Sequence, residues 1–101
     1  MKGLKYPVLL VLVVLFSFSC VAFAEHVFNW HKVNYIGHEI RVFRCYDQQA
    51  CGEACYNDEG CRVASWHGPK AGGDWANKCV LRDSTAGGRQ TGKRDIWSWV
   101  K

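Results

Sequence analysis

The chain carries almost none of the residue patterns that announce catalysis. No His-x3-His or His-Glu-x2-His pair occurs, and no serine or cysteine stands in a nucleophile-elbow or triad setting. The histidines, His26, His31, His38 and His67, are scattered, and scattered histidines read as surface or strand residues rather than as metal ligands or acid–base groups. Internal repeats are missing. So is a dense basic stripe of the kind that tracks a nucleic-acid backbone. The longest apolar run falls short of the ~20 residues that a membrane-spanning helix needs. These absences argue against an enzyme, a metal or cofactor protein, a nucleic-acid binder and a membrane-spanning protein.

That apolar run is informative in its own right. It occupies residues 8–16, behind a short basic start at Lys2 and Lys5 and ahead of Ala22-Phe23-Ala24. The small residues at Ala22 and Ala24 fit the rule for signal-peptidase cleavage after Ala24. Residues 1–24 are therefore predicted to be an export signal, and residues 25–101 a single domain of 77 residues in a secreted or periplasmic protein. An uncleaved anchor would need a longer apolar run. Lipid anchoring at Cys20 would want an aliphatic residue three positions upstream, where Ser17 stands. The 77 residues hold 11 lysines and arginines against 9 acids, a mild positive balance. A chain this short buries only a modest fraction of its surface and needs staples.

Five cysteines remain after that cleavage: Cys45, Cys51, Cys55, Cys61 and Cys79. Only Cys51 and Cys55 have the spacing of a zinc-ligand pair, so disulfides are the better reading in an exported chain. Asp47 is a suitable N-cap, residues 48–58 suit a helix, and Gly60 is a natural stop. Cys51 and Cys55 then lie one turn apart on one face, about 5–6 Å between their Cβ atoms, too far to bond each other. Cys61, just past the stop, folds back onto Cys55, which leaves Cys51 for Cys79. On the chain-entropy model these bridges contribute roughly 2 and 3.5 kcal/mol. Cys45 is left over. It is either an inert filler beside Val42, Phe43 and Tyr46, or an exposed thiol activated by the helix start and able to link two copies as a dimer.

The remaining segments alternate like strands: Glu39–Arg44, residues 61–66, Lys78–Arg82 and residues 95–101, with Trp97 and Trp99 on one side of the last and Ile96, Ser98 and Val100 on the other. Residues 68–77 and 84–92 are glycine-rich connections. One short helix among short strands predicts an α+β domain, the helix packed on an antiparallel sheet.

Three runs carry a family likeness: Asn34-Tyr35-Ile36-Gly37-His38-Glu39-Ile40, the segment from Cys51 through Cys55 and Cys61 to Trp66, and Lys78-Cys79-Val80-Leu81-Arg82. With the closing Trp97-Ser98-Trp99-Val100-Lys101, they resemble the PAN/apple domain family over nearly all of residues 25–101. Trp99 stands where that family commonly has glycine. The resemblance implies an antiparallel sheet of about five strands cradling one short helix, stapled by the two bridges above. It further implies a non-enzymatic module that binds proteins or carbohydrates, the alternatives being a structural protein linked covalently through Cys45 or an accessory domain associated with a protease system. Cys45 departs from the family's core pattern, and the outer third bridge of apple domains has no clear pair of cysteines here.

Two features bear on a ligand. Trp75 sits in Ala71-Gly72-Gly73-Asp74-Trp75-Ala76-Asn77, a loop with nothing else to bury. It is either an exposed ring for stacking on a sugar or anchoring a partner, or one folded back over the sheet edge. Arg82, Arg89, Lys93, Arg94 and Lys101 face only Asp83 and Asp95 in the same stretch. An anionic polysaccharide would suit that patch; a merely solvated hairpin would carry it as well. Trp75, Arg89, Lys93 and Arg94 are thus the candidate ligand-binding residues.

Overall fold

The computed structural model of the chain describes Cys20 and residues 26–101; the predicted export signal apart from Cys20, and the expected cleavage position after Ala24, lie outside the described residues. Asp47 opens helix α1 (Gln48–Tyr56) from an extended backbone, and its carboxylate accepts the Gln49 N–H at 3.0 Å. This satisfies one of the amides that a helix start leaves without a partner. The helix stops two residues short of the predicted Asp58. Asn57 ends it by returning its own N–H and its side-chain amide to the Glu53 carbonyl, both at 3.0 Å.

Among the described residues, six strands accompany the helix: β1 (Val33–Tyr35), β2 (Glu39–Arg44), β3 (Val63–His67), β4 (Lys78–Arg82), β5 (Gly88–Gln90) and β6 (Ile96–Val100). The main sheet has the order β2-β4-β3-β6, all antiparallel, and β1 pairs with β5 as a separate two-stranded ribbon. The fold is α+β, but the single sheet of about five strands is corrected to four strands plus a ribbon. Part of the predicted connection over residues 84–92 is strand. β5 is exposed throughout and reads Gly-Arg-Gln, so backbone pairing with β1 makes it a strand where side-chain pattern does not.

Register decides the two faces of the sheet. Trp66 lies opposite both Cys79 and Trp97, and Ala64 opposite both Leu81 and Trp99. These residues face α1 and form the core with Ala50, Cys51 and Cys55. The other face carries Val63, Ser65, His67, Val80, Arg82, Ile96 and Ser98, and it too is buried, because β1 packs across β3 and β6. Three polar side chains on this second face are paired with one another: the Ser65 and Ser98 hydroxyls meet at 2.7 Å, and Arg82 Nε donates to Ser65 at 3.4 Å.

Three disulfides staple the layers. Cys51 is bonded to Cys79 and Cys55 to Cys61, the two pairings implied by the helix spacing. The expectation of an unpaired or intermolecular Cys45 is corrected: Cys45 is bonded to Cys20, and no described cysteine is free. Cys45 is wholly buried, and its backbone is fastened on both sides, its N–H to the Asn77 carbonyl at 2.7 Å and its carbonyl to the Trp66 indole N–H at 3.1 Å. With its sulfur bonded to Cys20, Cys45 presents no thiol to a second copy.

Residues 26–32 form a strap over α1. Phe28 packs edge-on against Trp99, with ring centroids 4.5 Å apart, and lies directly on Gly52. A Cβ on Gly52 would stand 2.6 Å from two Phe28 ring carbons. Gly52→Ala should therefore destabilise the domain. The overlap costs about 1–3 kcal/mol, enough to outweigh the ~1 kcal/mol that alanine gains in a helix interior. Thermal denaturation checks this, and a midpoint raised above wild type would show that the ring yields. His26 completes the strap: Nδ1 lies 2.5 Å from Glu53 Oε1, and its ring stacks on Tyr56 at 3.7 Å.

Candidate functional site

Polar groups on the second sheet face pair off everywhere except at its edge, where a pocket of about 300 Å³ opens. Its floor is His67, the last residue of β3, beside Arg82 from β4 and Ile96 from β6. Asn34, Ile36 and Trp75 also line it, as does the exposed Arg94. Among the described residues, neither His67 ring nitrogen has a hydrogen-bond partner, and neither does Asn34 Oδ1, although all three atoms are buried. His67 is only 4 % exposed. Leaving such groups unpaired costs about 1–3 kcal/mol each. Groups kept in that state beside a cavity are groups for a ligand or water to satisfy.

Burial holds His67 far below the ordinary histidine range, at about 4, with the positive charges of Arg82, Arg94 and Lys78 adding to the effect in that order. At neutral pH its imidazole is therefore uncharged and presents one N–H donor and one nitrogen acceptor. Arg82 is 3 % exposed, and burial lowers its guanidinium while Glu39 raises it. Its Nη1 donates to the Gly37 carbonyl at 2.8 Å and approaches Glu39 Oε1 at 3.4 Å. Arg82 and Arg94 against Glu39 leave the pocket with an excess positive charge. Arg94 is exposed and tied only loosely, its Nε donating to the Thr91 carbonyl at 3.4 Å.

Trp75 reaches the pocket on a 3-10 turn (Gly73–Trp75). Gly72 and Gly73 both have positive φ, 87° and 58°, a conformation that a side chain would strain, so this pair of glycines aims the ring. The indole stacks on the His67 ring, centroids 5.1 Å apart, and stays 45 % exposed. Lys78 Nζ lies 5.7 Å from its centroid. The loop does have something to cover: Trp75 roofs His67 with one part of its surface and offers the rest to solvent.

Of the four candidate residues, the fold brings Trp75 and Arg94 to one pocket and leaves Arg89 and Lys93 outside it. Arg89 is exposed on β5, in register with Asn34, and Lys93 is exposed in the turn before β6. His67 and Asn34 are the site residues that sequence reasoning missed, and Arg82, placed in the basic patch, was not among the four candidates. A signal for His67 existed, since it follows Val63 and Ser65 at two-residue spacing and so shares their face. No residue lining the pocket is a serine, threonine, cysteine or lysine, and among the described residues no cluster of three or more metal-ligating side chains occurs. Comparison of the chain with models of known families, with curated proteins and with solved structures finds no match.

Proposed function

We propose that this chain is an exported PAN/apple-like domain that binds an acidic glycan, and that the pocket between Trp75, His67 and Arg94 is where it does so. One observation carries the reading: a buried, uncharged imidazole with both nitrogens unpaired, set in a cavity. A sugar hydroxyl both donates and accepts, which is what such an imidazole needs. The exposed part of Trp75 supplies the flat apolar surface on which a sugar ring packs. The excess positive charge selects ligands bearing a carboxylate or sulfate, and Arg94 can pair with it directly. Binding without chemistry is the reading we favour for a lining that holds one carboxylate, Glu39, where glycoside hydrolysis uses a pair.

Titration of the purified domain with an oligouronate, followed by amide NMR shifts and calorimetry, tests this. Trp75→Ala and Arg94→Ala should each weaken binding about ten-fold or more, ~1.4 kcal/mol or above. Arg89→Ala and Lys93→Ala should change it little, because neither lines the pocket. If all four weaken binding equally, the attraction is diffuse charge rather than a site. If neither the oligouronate nor a neutral oligosaccharide shifts His67 or Trp75, the glycan reading fails.

A further inference from the structure

We propose that the export signal is removed between Ser19 and Cys20, so that Cys20 becomes the first residue of the mature chain and supplies the domain's third disulfide. The bond itself is the first observation. Cys20 is joined to Cys45 with 5.2 Å between their Cα atoms, and it packs against the same core cluster as Trp30, Phe43 and Trp97. The second is the receiving side. Cys45 is wholly buried, and main-chain and indole hydrogen bonds tie it to β3 and to the residue preceding β4. Cys45 is thus a fixed part of the domain, and its partner must stay with the domain for the bond to staple anything. Cleavage after Ala24 would leave the two sulfurs on separate polypeptides.

The sequence offers a second cut that avoids this. Ser17 and Ser19 place small side chains third and first before Cys20, the same arrangement that Ala22 and Ala24 place before Glu25. The chemistry at Cys20 also separates the outcomes. A lipid anchor would occupy the Cys20 sulfur as a thioether, and a sulfur so alkylated cannot form the disulfide. In the proposed sequence, water hydrolyses the Ser19–Cys20 peptide bond, leaving a carboxylate on Ser19 and an amine on Cys20. The Cys20 and Cys45 thiols then pass two electrons and two protons to a disulfide-bearing oxidoreductase of the export compartment, which departs as the dithiol.

The test uses the full chain expressed in an exporting host. N-terminal sequencing and intact mass of the exported protein should show a chain beginning at Cys20, and a non-reducing peptide map should contain Cys20 joined to Cys45. Ala24→Tyr should leave the mature product's start unchanged, whereas Ser19→Tyr should abolish that start. Replacing Cys45 by serine should free one thiol at the N-terminus for labelling and lower the thermal midpoint by roughly 15 °C or more. A mature chain beginning at Glu25, a lipid-modified Cys20, or an exported chain that keeps its signal would each overturn the proposal. Loss of processing in Ala24→Tyr would do the same. Ligand binding plays no part in these readouts, so they stand apart from the glycan reading.

Discussion

Replacing Cys51 and Cys79 together by alanine is expected to cost the domain more than removing its short Cys55–Cys61 bridge. The bridge they form joins α1 to β4, both sulfurs are wholly buried, and the partners are 28 residues apart in the chain. A loop of that length is worth roughly 3.5 kcal/mol on the chain-entropy model, and losing a native bridge typically costs a small domain about 2–5 kcal/mol. Domains of this size are stable by only ~4–11 kcal/mol, so the variant should unfold near physiological temperature. The Cys55–Cys61 pair spans only 6 residues and should cost roughly 2 kcal/mol when removed the same way. Denaturant titration of both double variants checks the order. Equal losses would mean that strain or unfolded-state structure, rather than loop length, governs the staples.

The second large effect is acid sensitivity centred on His67. Its imidazole titrates near 6.5 in the unfolded chain but only at about 4 in the folded one. Between those values the unfolded state binds the proton more readily, so acid favours unfolding. The stability linked to this group is fully present above pH 6.5, falls as the pH drops towards 4, and falls no further below it. At about 1.36 kcal/mol per unit the loss is on the order of 3 kcal/mol. Carboxylates titrate in the same window, so the informative quantity is the difference between wild type and His67→Gln, whose amide stays neutral. That difference should vary with pH by the stated amount. Parallel curves for the two proteins would mean that His67 is solvated in the native state, and the pocket would lose its central feature.

Local chemistry explains why the helix and the Cys55–Cys61 bridge were legible in the chain, and Cys79 then fell to Cys51 by elimination. Asp47 caps by reaching two residues ahead, and Cys51 and Cys55 share a face because a turn is 3.6 residues long. Residues this close specify one another without help from the rest of the fold. β2, β3, β4 and β6 were legible for a similar reason, since side chains alternate across a pleat. β5 was not, because Gly88, Arg89 and Gln90 carry no such alternation, and only Val33, Asn34 and Tyr35 opposite them make the ribbon.

What tertiary structure alone decided is the pocket, together with the partner of Cys45. His67 and Trp75 lie on either side of a glycine-rich loop, and nothing in their spacing says that the rings stack. Arg82 and Arg94 sit in one basic-rich stretch, yet pairing of β3 with both β4 and β6 directs them to His67 and leaves Arg89 and Lys93 out. The ribbon excludes water from that face and so turns a scattered histidine into a neutral, unpaired one. Cys45 looked solitary because its partner stands before a well-formed cleavage site, and a sequence read in segments sets such a residue aside. Short-range chemistry could be read from the order of residues; burial, and the charge state and bonding that follow from it, depend on which distant residues the folded chain brings together.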